Sequence, residues 1–258
     1  MVSYLCDIRG FSFKDALTEL RSLAGVILPE PRIISAMERE GLWEDAEAKE
    51  RPESHPGTRA QHEALAALRK VSVSTVTGLA FQGVVSFGEY RKRPAFFLHG
   101  TRGLFHAKRM DRADWWEGTK ALFIGQSSHR WIEATVGAAE DCFLVLEGCV
   151  SILEGAELLR RAGMAGTVIA MPSANAKIPA ALAGKLAMGR CLILADGDPP
   201  GKGAGERWFV SIERAGGGRI RWRNMPDGTD AGNLLGESPT SLTSFFREQF
   251  NHPTPSHP

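Results

Sequence analysis

The second half of the chain alternates between short apolar runs and helix-forming segments. Runs with strand character cover residues 142–147, 167–171, 190–195 and 219–223, and helical patterns join them at about 151–162, 178–186 and 203–215. This alternation predicts an α/β fold in which helices cover the faces of a parallel sheet. Functional sites in such sheets lie beyond the carboxyl ends of the strands.

Between Gly83 and Trp131 the pattern changes to short runs separated by turn residues. Runs at 84–88, 94–99 and 103–110 predict a small antiparallel sheet. The same stretch interleaves basic residues, including Lys108 and Arg109, with aromatic ones. Such a mixture suits a platform for single-stranded nucleic acid. A solvated hairpin over an aromatic core explains the same composition, and the pattern alone leaves both interpretations open.

The remaining segments complete a five-part division of the chain. A helix capped by Ser12 is predicted near the start, helices at 61–69 and from the Ser72 cap to Phe81 precede the antiparallel strands, and a last helix is predicted near 242–250. The predicted parts are a helical remnant (1–28), a polar, proline-rich linker (29–58), an α+β subdomain (59–138), the α/β domain (139–236) and a C-terminal helix with a disordered tail (237–258).

Composition narrows the classes of protein that fit. A chain of 258 residues can bury a sizeable core, and a formal net charge of +1 excludes a strongly basic arm as the whole basis of nucleic-acid binding. The four cysteines include no C-x-x-C pair, which argues against a disulfide framework and a zinc knuckle. No apolar run approaches about 18 residues. We therefore expect a soluble, cytoplasmic protein without a membrane partner.

Two of the apolar runs end at carboxylates and glycine. Glu147-Gly148 closes the first, and Asp196-Gly197-Asp198 closes the third. Residues two apart on an extended strand point the same way, so both aspartates can face one point, and Glu147 joins them if the strands are neighbours. Three carboxylates there would repel one another unless a cation such as Mg²⁺ lay between them. Alternatively, these residues only cap loops and helix starts.

The same two motifs resemble those of the Toprim domain, which bacterial-type primases, type IA and II topoisomerases and certain nucleases share. Glu147-Gly148 looks like the family's glutamate motif and Asp196-Gly197-Asp198 like its Asp-x-Asp motif, over roughly residues 140–226. The resemblance implies a Rossmann-like parallel sheet in which the aspartates bind Mg²⁺ (or Mn²⁺). It also implies that Glu147 is a general acid/base or a further metal ligand.

Flanking residues resemble the small Toprim primase-like proteins of phages, plasmids and other mobile elements. Lys108-Arg109-Met110-Asp111, followed by Trp115-Trp116, is similar to the strand that precedes Toprim in that group. Residues 10–20 resemble the helix that ends the primase zinc-binding module, and 227–235 resemble the segment after the last Toprim strand. This chain has Thr229 where that segment has lysine, and its turn after Asp198 is longer.

The zinc ligands that precede the helix in that family are absent, so no zinc is expected in this chain. Either the start codon is misassigned or the lineage is truncated, and the absence puts template recognition in doubt.

The resemblance implies a primase-like nucleotidyltransferase that makes short RNA primers on single-stranded DNA from NTPs, with a replicative helicase as a candidate partner. A Mg²⁺-dependent Toprim nuclease and a non-catalytic nucleic-acid-binding remnant are the alternatives. Besides Lys108 and Arg109, the candidate contacts to nucleotide or nucleic acid are Lys202 and Arg221. Lys202, in the glycine-rich turn, either touches phosphate or is a solvated lysine. Arg221 either contacts a nucleic-acid backbone or blocks edge-to-edge strand pairing.

Overall fold

An antiparallel sheet and two helices form the first part of the fold. The computed structural model describes residues 51–111, 122–124, 129–138 and 141–251. The sheet follows the chain order β1 to β5, with every neighbouring pair antiparallel. The elements are β1 (Ser54–His55), α1 (Arg59–Arg69), α2 (Val73–Phe81), β2 (Val85–Tyr90), β3 (Arg93–His99), β4 (Phe105–Arg109) and β5 (Leu122–Ile124). The antiparallel sheet predicted for this region is confirmed.

Local capping explains where the two helices begin. The Thr58 side chain accepts a hydrogen bond from the backbone N–H of Gln61, whose side chain accepts one from the Thr58 N–H. The Ser72 side chain accepts from the N–H of Thr75, as its predicted role as a cap requires. Lys70, at a φ of 56°, ends α1 in the left-handed region.

The aromatic residues of the basic segment belong to the core. Phe96, Phe97 and Phe105 are each 2% exposed or less. Their faces are therefore unavailable for stacking on bases, and the hypothesis of an aromatic nucleic-acid platform is wrong for these three residues. The alternative interpretation, a hairpin over an aromatic core, is the one that the structure supports. Trp115 and Trp116 lie outside the described residues.

A second, mostly parallel sheet forms the rest of the fold. Its strand order is β10-β9-β7-β8-β6, in which the first four strands are parallel and β6 runs antiparallel to β8. The predicted α/β architecture is thus confirmed, whereas the strand at β6 was not predicted. The elements are β6 (Ile132–Val136), β7 (Cys142–Glu147), α3 (Ser151–Arg161), β8 (Gly166–Met171), α4 (Ala180–Ala187), β9 (Arg190–Ala195), α5 (Pro199–Arg214), β10 (Ile220–Asn224) and α6 (Pro239–Asn251).

Residues alternate between the two buried faces of this sheet. Leu144 and Leu146 pack with residues of α3 and α6, whereas Val145 packs with α4 and α5. Strands buried on both faces are nearly continuous apolar runs, which is why β7, β8 and β9 stand out in the sequence. The predicted tail after Asn251, the N-terminal helix and most of the linker lie outside the described residues.

Helix α5 begins four residues earlier than its sequence pattern predicted. Asp198 is its N-cap, and Pro199 and Pro200 occupy its first positions, where a missing N–H costs nothing. Residues 199–205 are therefore helical, and the prediction of a glycine-rich turn there is wrong. Lys202 consequently lies in the first turn of a helix.

Helix α3 joins the two parts of the fold through two buried acids. Glu154 pairs with Arg69 at the end of α1, with Oε1 2.5 Å from the guanidinium. Glu157 accepts hydrogen bonds from the Ser72 N–H (3.1 Å), the Ser72 hydroxyl (2.7 Å) and the Thr75 hydroxyl (2.6 Å). The carboxylate thus sits at the start of α2, where the helix dipole favours negative charge.

No single helix in the described part of the chain is long and apolar enough to cross a membrane. The pair α1 and α2, bent by 119°, meets the length and composition criteria only when its two members are taken together.

We expect Glu157→Gln to lower the free energy of unfolding by about 2–3 kcal/mol at neutral pH, because a buried charged acceptor loses hydrogen bonds. Burial alone would raise the pKa of Glu157, but the hydrogen bonds from Arg160, Thr75 and Ser72 outweigh it and hold the pKa at about 2. Below the unfolded-state value of 4.5, the unfolded chain takes up the proton first. The stabilisation is therefore complete above that pH and is lost as the pH falls toward about 2.

Denaturant unfolding at a series of pH values checks this prediction. The matched control is Glu213→Gln at an exposed position, for which the change should stay below about 0.5 kcal/mol. Equal stabilities of Glu157→Gln and the wild type at neutral pH would contradict the prediction.

Candidate active site

The carboxylates singled out in the sequence lie at one edge of the parallel sheet. Strands β7 and β9 are direct neighbours, with Leu146 opposite Leu194. Glu147 is the last residue of β7, and Asp196 follows the last residue of β9. The condition under which Glu147 joins the aspartates, that the two strands are neighbours, is therefore met, and the register places both acids at the same carboxyl edge.

Asp198 combines a capping role with its place in this group. Its Oδ1 accepts a hydrogen bond from the Gly201 N–H at 2.8 Å, as an N-cap does. The capping alternative is therefore right for one oxygen of Asp198. The negative charges of Asp196 and Asp198 also lie at the N-terminus of α5, which stabilises anions.

Two glycines, Gly197 in the loop and Gly201 in the first turn of α5, allow close packing of the backbone here. A Cβ on Gly197 would lie 1.9 Å from the carbonyl oxygen of Pro226, and one on Gly201 would lie 2.6 Å from the carbonyl oxygen of Asp196. The Gly197 N–H also donates to the Thr229 carbonyl at 2.9 Å. The Asp-Gly-Asp loop thus packs directly on the segment that follows β10.

One oxygen of Glu147 is held and the other is unused. Oε1 accepts a hydrogen bond from the Ala174 N–H at 2.9 Å, and Arg207 donates to the Ala174 carbonyl at 2.9 Å. Oε2 is buried and has no hydrogen-bond partner among the described residues. A buried polar atom without a partner is costly, so this oxygen is suited to receive a ligand.

Burial and like charges together disfavour ionisation at this edge. Burial raises the pKa of Glu147 and the charge of Asp198 adds to the rise, while the Ala174 hydrogen bond and the charge of Arg207 oppose it. The pKa of Asp196 rises to about 7, first through burial and then through the charges of Glu147, Asp230, Asp198 and Glu154. Five acids therefore interact electrostatically at this edge: Glu147, Glu154, Asp196, Asp198 and Asp230.

Two members of this group were not predicted as site residues. Asp230 appeared only within the segment compared with the end of Toprim, and Glu154 was not singled out at all. A Cβ on Gly232 would lie 3.0 Å from Asp230 Oδ1 and 3.4 Å from Glu154 Oε1, so the absence of a side chain there leaves room for both acids. Sequence offers no signal for Glu154, because its position depends on how α3 packs.

These side chains fit a divalent cation that keeps part of its water shell. In the described ranges no three His, Cys, Asp or Glu residues form a complete metal-ligand set. Mg²⁺ commonly retains several waters and uses only one or two carboxylates plus substrate phosphates. The unpartnered oxygen of Glu147 and the charge repulsion around Asp196 suit an ion of that kind.

The predicted basic contacts lie in different surroundings. Burial raises the pKa of Cys149 to about 12, while a backbone hydrogen bond and the positive charge of Lys108 oppose the rise. Arg109 forms an ion pair with Asp111. Lys202 Nζ lies 2.5 Å from Asp227 Oδ1. The charge of Lys108 thus acts on a residue two positions after Glu147, and its role as a nucleic-acid contact stays a prediction.

Arg221 faces the C-terminal helix. Its guanidinium lies 3.5 Å from Gln249 Oε1, and the neighbouring Arg223 lies over the ring of Phe245, with 5.8 Å between guanidinium carbon and ring centre. Both arginines lie on β10, an edge strand, as expected. Both arginines thus contact α6, and the assignment of Arg221 to a nucleic-acid backbone stays a prediction.

Comparison with solved structures identifies the fold. The chain matches the structure of the DnaG catalytic core with a TM-score of 0.52 and 15% sequence identity, covering 81% of this chain and 77% of that one. It also matches the RNA polymerase domain of Mycobacterium tuberculosis primase DnaG (TM-score 0.49, 15% identity, 86% and 85% coverage). A third match is a DNA primase domain from Pseudomonas aeruginosa (TM-score 0.44, 17% identity, 68% and 59% coverage).

The similarity to the DnaG catalytic core shows the fold of this chain, and that fold agrees with the predicted Toprim-containing class. No family model and no curated protein sequence matches the chain.

We expect Asp196→Asn to stabilise the protein by about 2 kcal/mol at about pH 8 without divalent ions. Each unit of pKa displacement corresponds to about 1.4 kcal/mol, and solvent screening removes part of it. Because the pKa of Asp196 is raised, its destabilising effect grows as the pH increases toward 7. Thermal unfolding with and without Mg²⁺ measures this effect.

Mg²⁺ should raise the melting temperature of the wild type and have little effect on Asp196→Asn, since a ligand stabilises only the state that binds it. Asp141→Asn, at an exposed position before β7, is the control and should respond as the wild type does. A decrease in the stability of Asp196→Asn without Mg²⁺ would show that the carboxylates do not repel one another.

Proposed function

We propose that this chain is a primase-type nucleotidyltransferase that synthesises short RNA primers on single-stranded DNA with Mg²⁺ or Mn²⁺. The proposal rests on one observation: the carboxylates of Glu147, Asp196 and Asp198 lie together at the carboxyl edge of the parallel sheet. The fold that contains this sheet is similar to that of a primase catalytic core. The positive charge of Lys108, which acts on Cys149 just after Glu147, supports the proposal.

The reaction joins two nucleotides. The 3′-hydroxyl oxygen of the growing primer attacks the α-phosphorus of a nucleoside triphosphate, the bond to the β-phosphate oxygen breaks, and pyrophosphate leaves with that electron pair. A bound Mg²⁺ would shield the triphosphate and stabilise the negative charge that develops on it. Asp196, Asp198 and the free oxygen of Glu147 are the groups that would hold the ion.

Glu147 has a second use in this scheme. Its raised pKa makes it a better acceptor for the proton of the 3′-hydroxyl than an ordinary glutamate. The Ala174 N–H fixes one carboxylate oxygen, and Arg207 holds the Ala174 carbonyl, so the carboxylate keeps one orientation. Glu147 is thus a positioned base, held by Ala174 and Arg207.

The partners follow from this chemistry. Single-stranded DNA and NTPs are the proposed ligands, and Lys108 is the residue we assign to the nucleic-acid backbone. Arg109, Lys202 and Arg221 are the other proposed contacts, of which the first two are engaged by aspartates. The resemblance of residues 108–111 to primase-like proteins of mobile elements supports a cytoplasmic role in the replication of a phage or plasmid, with a helicase as a further proposed partner.

Incubating the full chain with single-stranded DNA, labelled NTPs and Mg²⁺ tests the proposed activity. We expect short labelled RNA products that depend on the template and fall by about 100-fold or more in Asp196→Asn, because a metal-binding charge is removed. Asp141→Asn should leave the yield unchanged. DNA fragments would indicate a nuclease instead, and binding without any product would indicate a non-catalytic remnant.

We expect Lys108→Ala to weaken binding of single-stranded DNA and to reduce the salt dependence of the affinity. Removing one lysine from a phosphate of a single strand lowers the slope of log affinity against log salt by about 0.7. Arg214→Ala, at the far end of α5, is the charge-matched control and should leave the slope unchanged. Identical slopes for Lys108→Ala and the wild type would show that Lys108 does not contact the DNA backbone.

A further inference from the structure

A pocket of about 370 Å³ lies between the antiparallel sheet and strand β6. It is lined by the turn after α2, the end of β3 with the residues after it, and residues 133–135 of β6. Strand β6 is antiparallel to β8, and Thr135 pairs with Thr167 near the start of that strand. The pocket therefore lies along the side of the sheet, away from the carboxyl ends that carry Glu147 and Asp196.

Two side chains close off the outer edge of β6 on either side of this pocket. The Gln82 amide donates to the Thr135 carbonyl and accepts from the Thr135 N–H, both at 2.9 Å. The Thr101 hydroxyl accepts from the Trp131 N–H at 3.2 Å, and the Thr101 N–H donates to the Trp131 carbonyl at 2.8 Å. Both residues act as short substitutes for a neighbouring strand.

One backbone donor and one acceptor remain between these two closures. Backbone groups alternate sides along a strand, so the N–H and C=O of Glu133 point outward like those of Trp131 and Thr135. Within the described residues no side chain bonds to either group. The gap spans a single residue, which is too short for an added peptide strand because Gln82 and Thr101 occupy the flanking positions.

The lining of the pocket provides no positively charged side chain for a phosphate. None of its described lining residues is lysine or arginine. The Glu133 carboxylate is engaged by Lys185 and by the Trp131 indole N–H, the latter at 3.3 Å. Burial and the charge of Arg51 lower the pKa of His99, which favours the neutral ring, and His99 Nε2 lies 2.6 Å from the Ser86 hydroxyl. An uncharged ligand suits these surroundings.

We propose that this edge-strand pocket binds the base of an uncharged nucleoside, with adenine as the matching case. Adenine presents an N7 acceptor beside an N6 amino donor, and this pair matches the Glu133 N–H and C=O. The volume lies within the range of small-molecule sites. Phe81, next to Gln82 in the chain, is 93% exposed and offers an aromatic surface at the same helix end for base stacking. The inference does not depend on the proposed priming activity.

Titration of the ¹⁵N-labelled full chain with adenosine, followed by NMR, tests this site. We expect saturable shifts of the Thr135 amide and of the Gln82 side-chain amide. Glu133→Pro removes the N–H and should weaken adenosine binding about 10-fold or more, whereas Glu133→Ala keeps the N–H, removes the same carboxylate and should bind within about 3-fold of the wild type. Shifts confined to residues around Asp196 would overturn the proposal, as would equal binding by the two variants.

The circular dichroism spectrum of Glu133→Pro shows whether this variant folds. If it does not fold, a change of ligand still tests the site. N6,N6-dimethyladenosine lacks the amino donor and should bind the wild type at least about 10-fold more weakly than adenosine, since each tenfold corresponds to about 1.4 kcal/mol. Equal affinity for the two nucleosides, or no saturable shift with adenosine at millimolar concentration, would disprove the site.

Discussion

Like charges held together at the edge of a parallel sheet are the constraint that shapes this structure. Glu147, Asp196 and Asp198 reach that edge because β7 and β9 pair directly. Burial and repulsion together outweigh the relief that the Ala174 N–H, Arg207 and the start of α5 provide: the pKa of Asp196 rises to about 7 and that of Glu147 also rises. Such an arrangement lowers stability and persists where a function requires it.

The surrounding backbone fixes this group with short-range contacts. A Cβ on Gly197 would collide with the carbonyl of Pro226, and one on Gly201 with that of Asp196, so the backbone can pack closely here only without side chains. Helix α3 contributes as well. Glu154 adds its charge to Asp196 while it pairs with Arg69, and Glu157 ties the start of α2 to the same helix. One helix thus connects the first part of the fold to the carboxylate edge.

The sequence revealed those parts of the fold that depend on local pattern. Strands β7, β8 and β9 are apolar runs with clear ends, and Ser72 is an ordinary cap, so each was predictable. The predicted start of α5 was too late because the glycines after Asp198 are typical of a turn. Asp198 and the prolines that follow it mark the true start, since proline is favoured at the first helical position.

Long-range packing explains what the sequence could not reveal. Glu154 meets Arg69 across 85 positions of the chain, and nothing in either segment marks the pair. Glu157 likewise meets Ser72 across 85 positions, although its helix was predicted correctly. The neighbouring positions of β7 and β9 were a conditional assumption, because strand order is a property of the whole sheet. The roles of the site residues in catalysis remain predictions.

Paramagnetic broadening by Mn²⁺ is the most immediate test of whether the carboxylate edge binds a divalent ion. At low Mn²⁺ concentration, we predict selective disappearance of the backbone amide signals of Ala174, Gly197 and Gly201, which adjoin Glu147, Asp196 and Asp198. Excess Mg²⁺ should restore those signals. Broadening at exposed acids such as Glu206 and Glu213, with the three amide signals intact, would contradict metal binding at this edge.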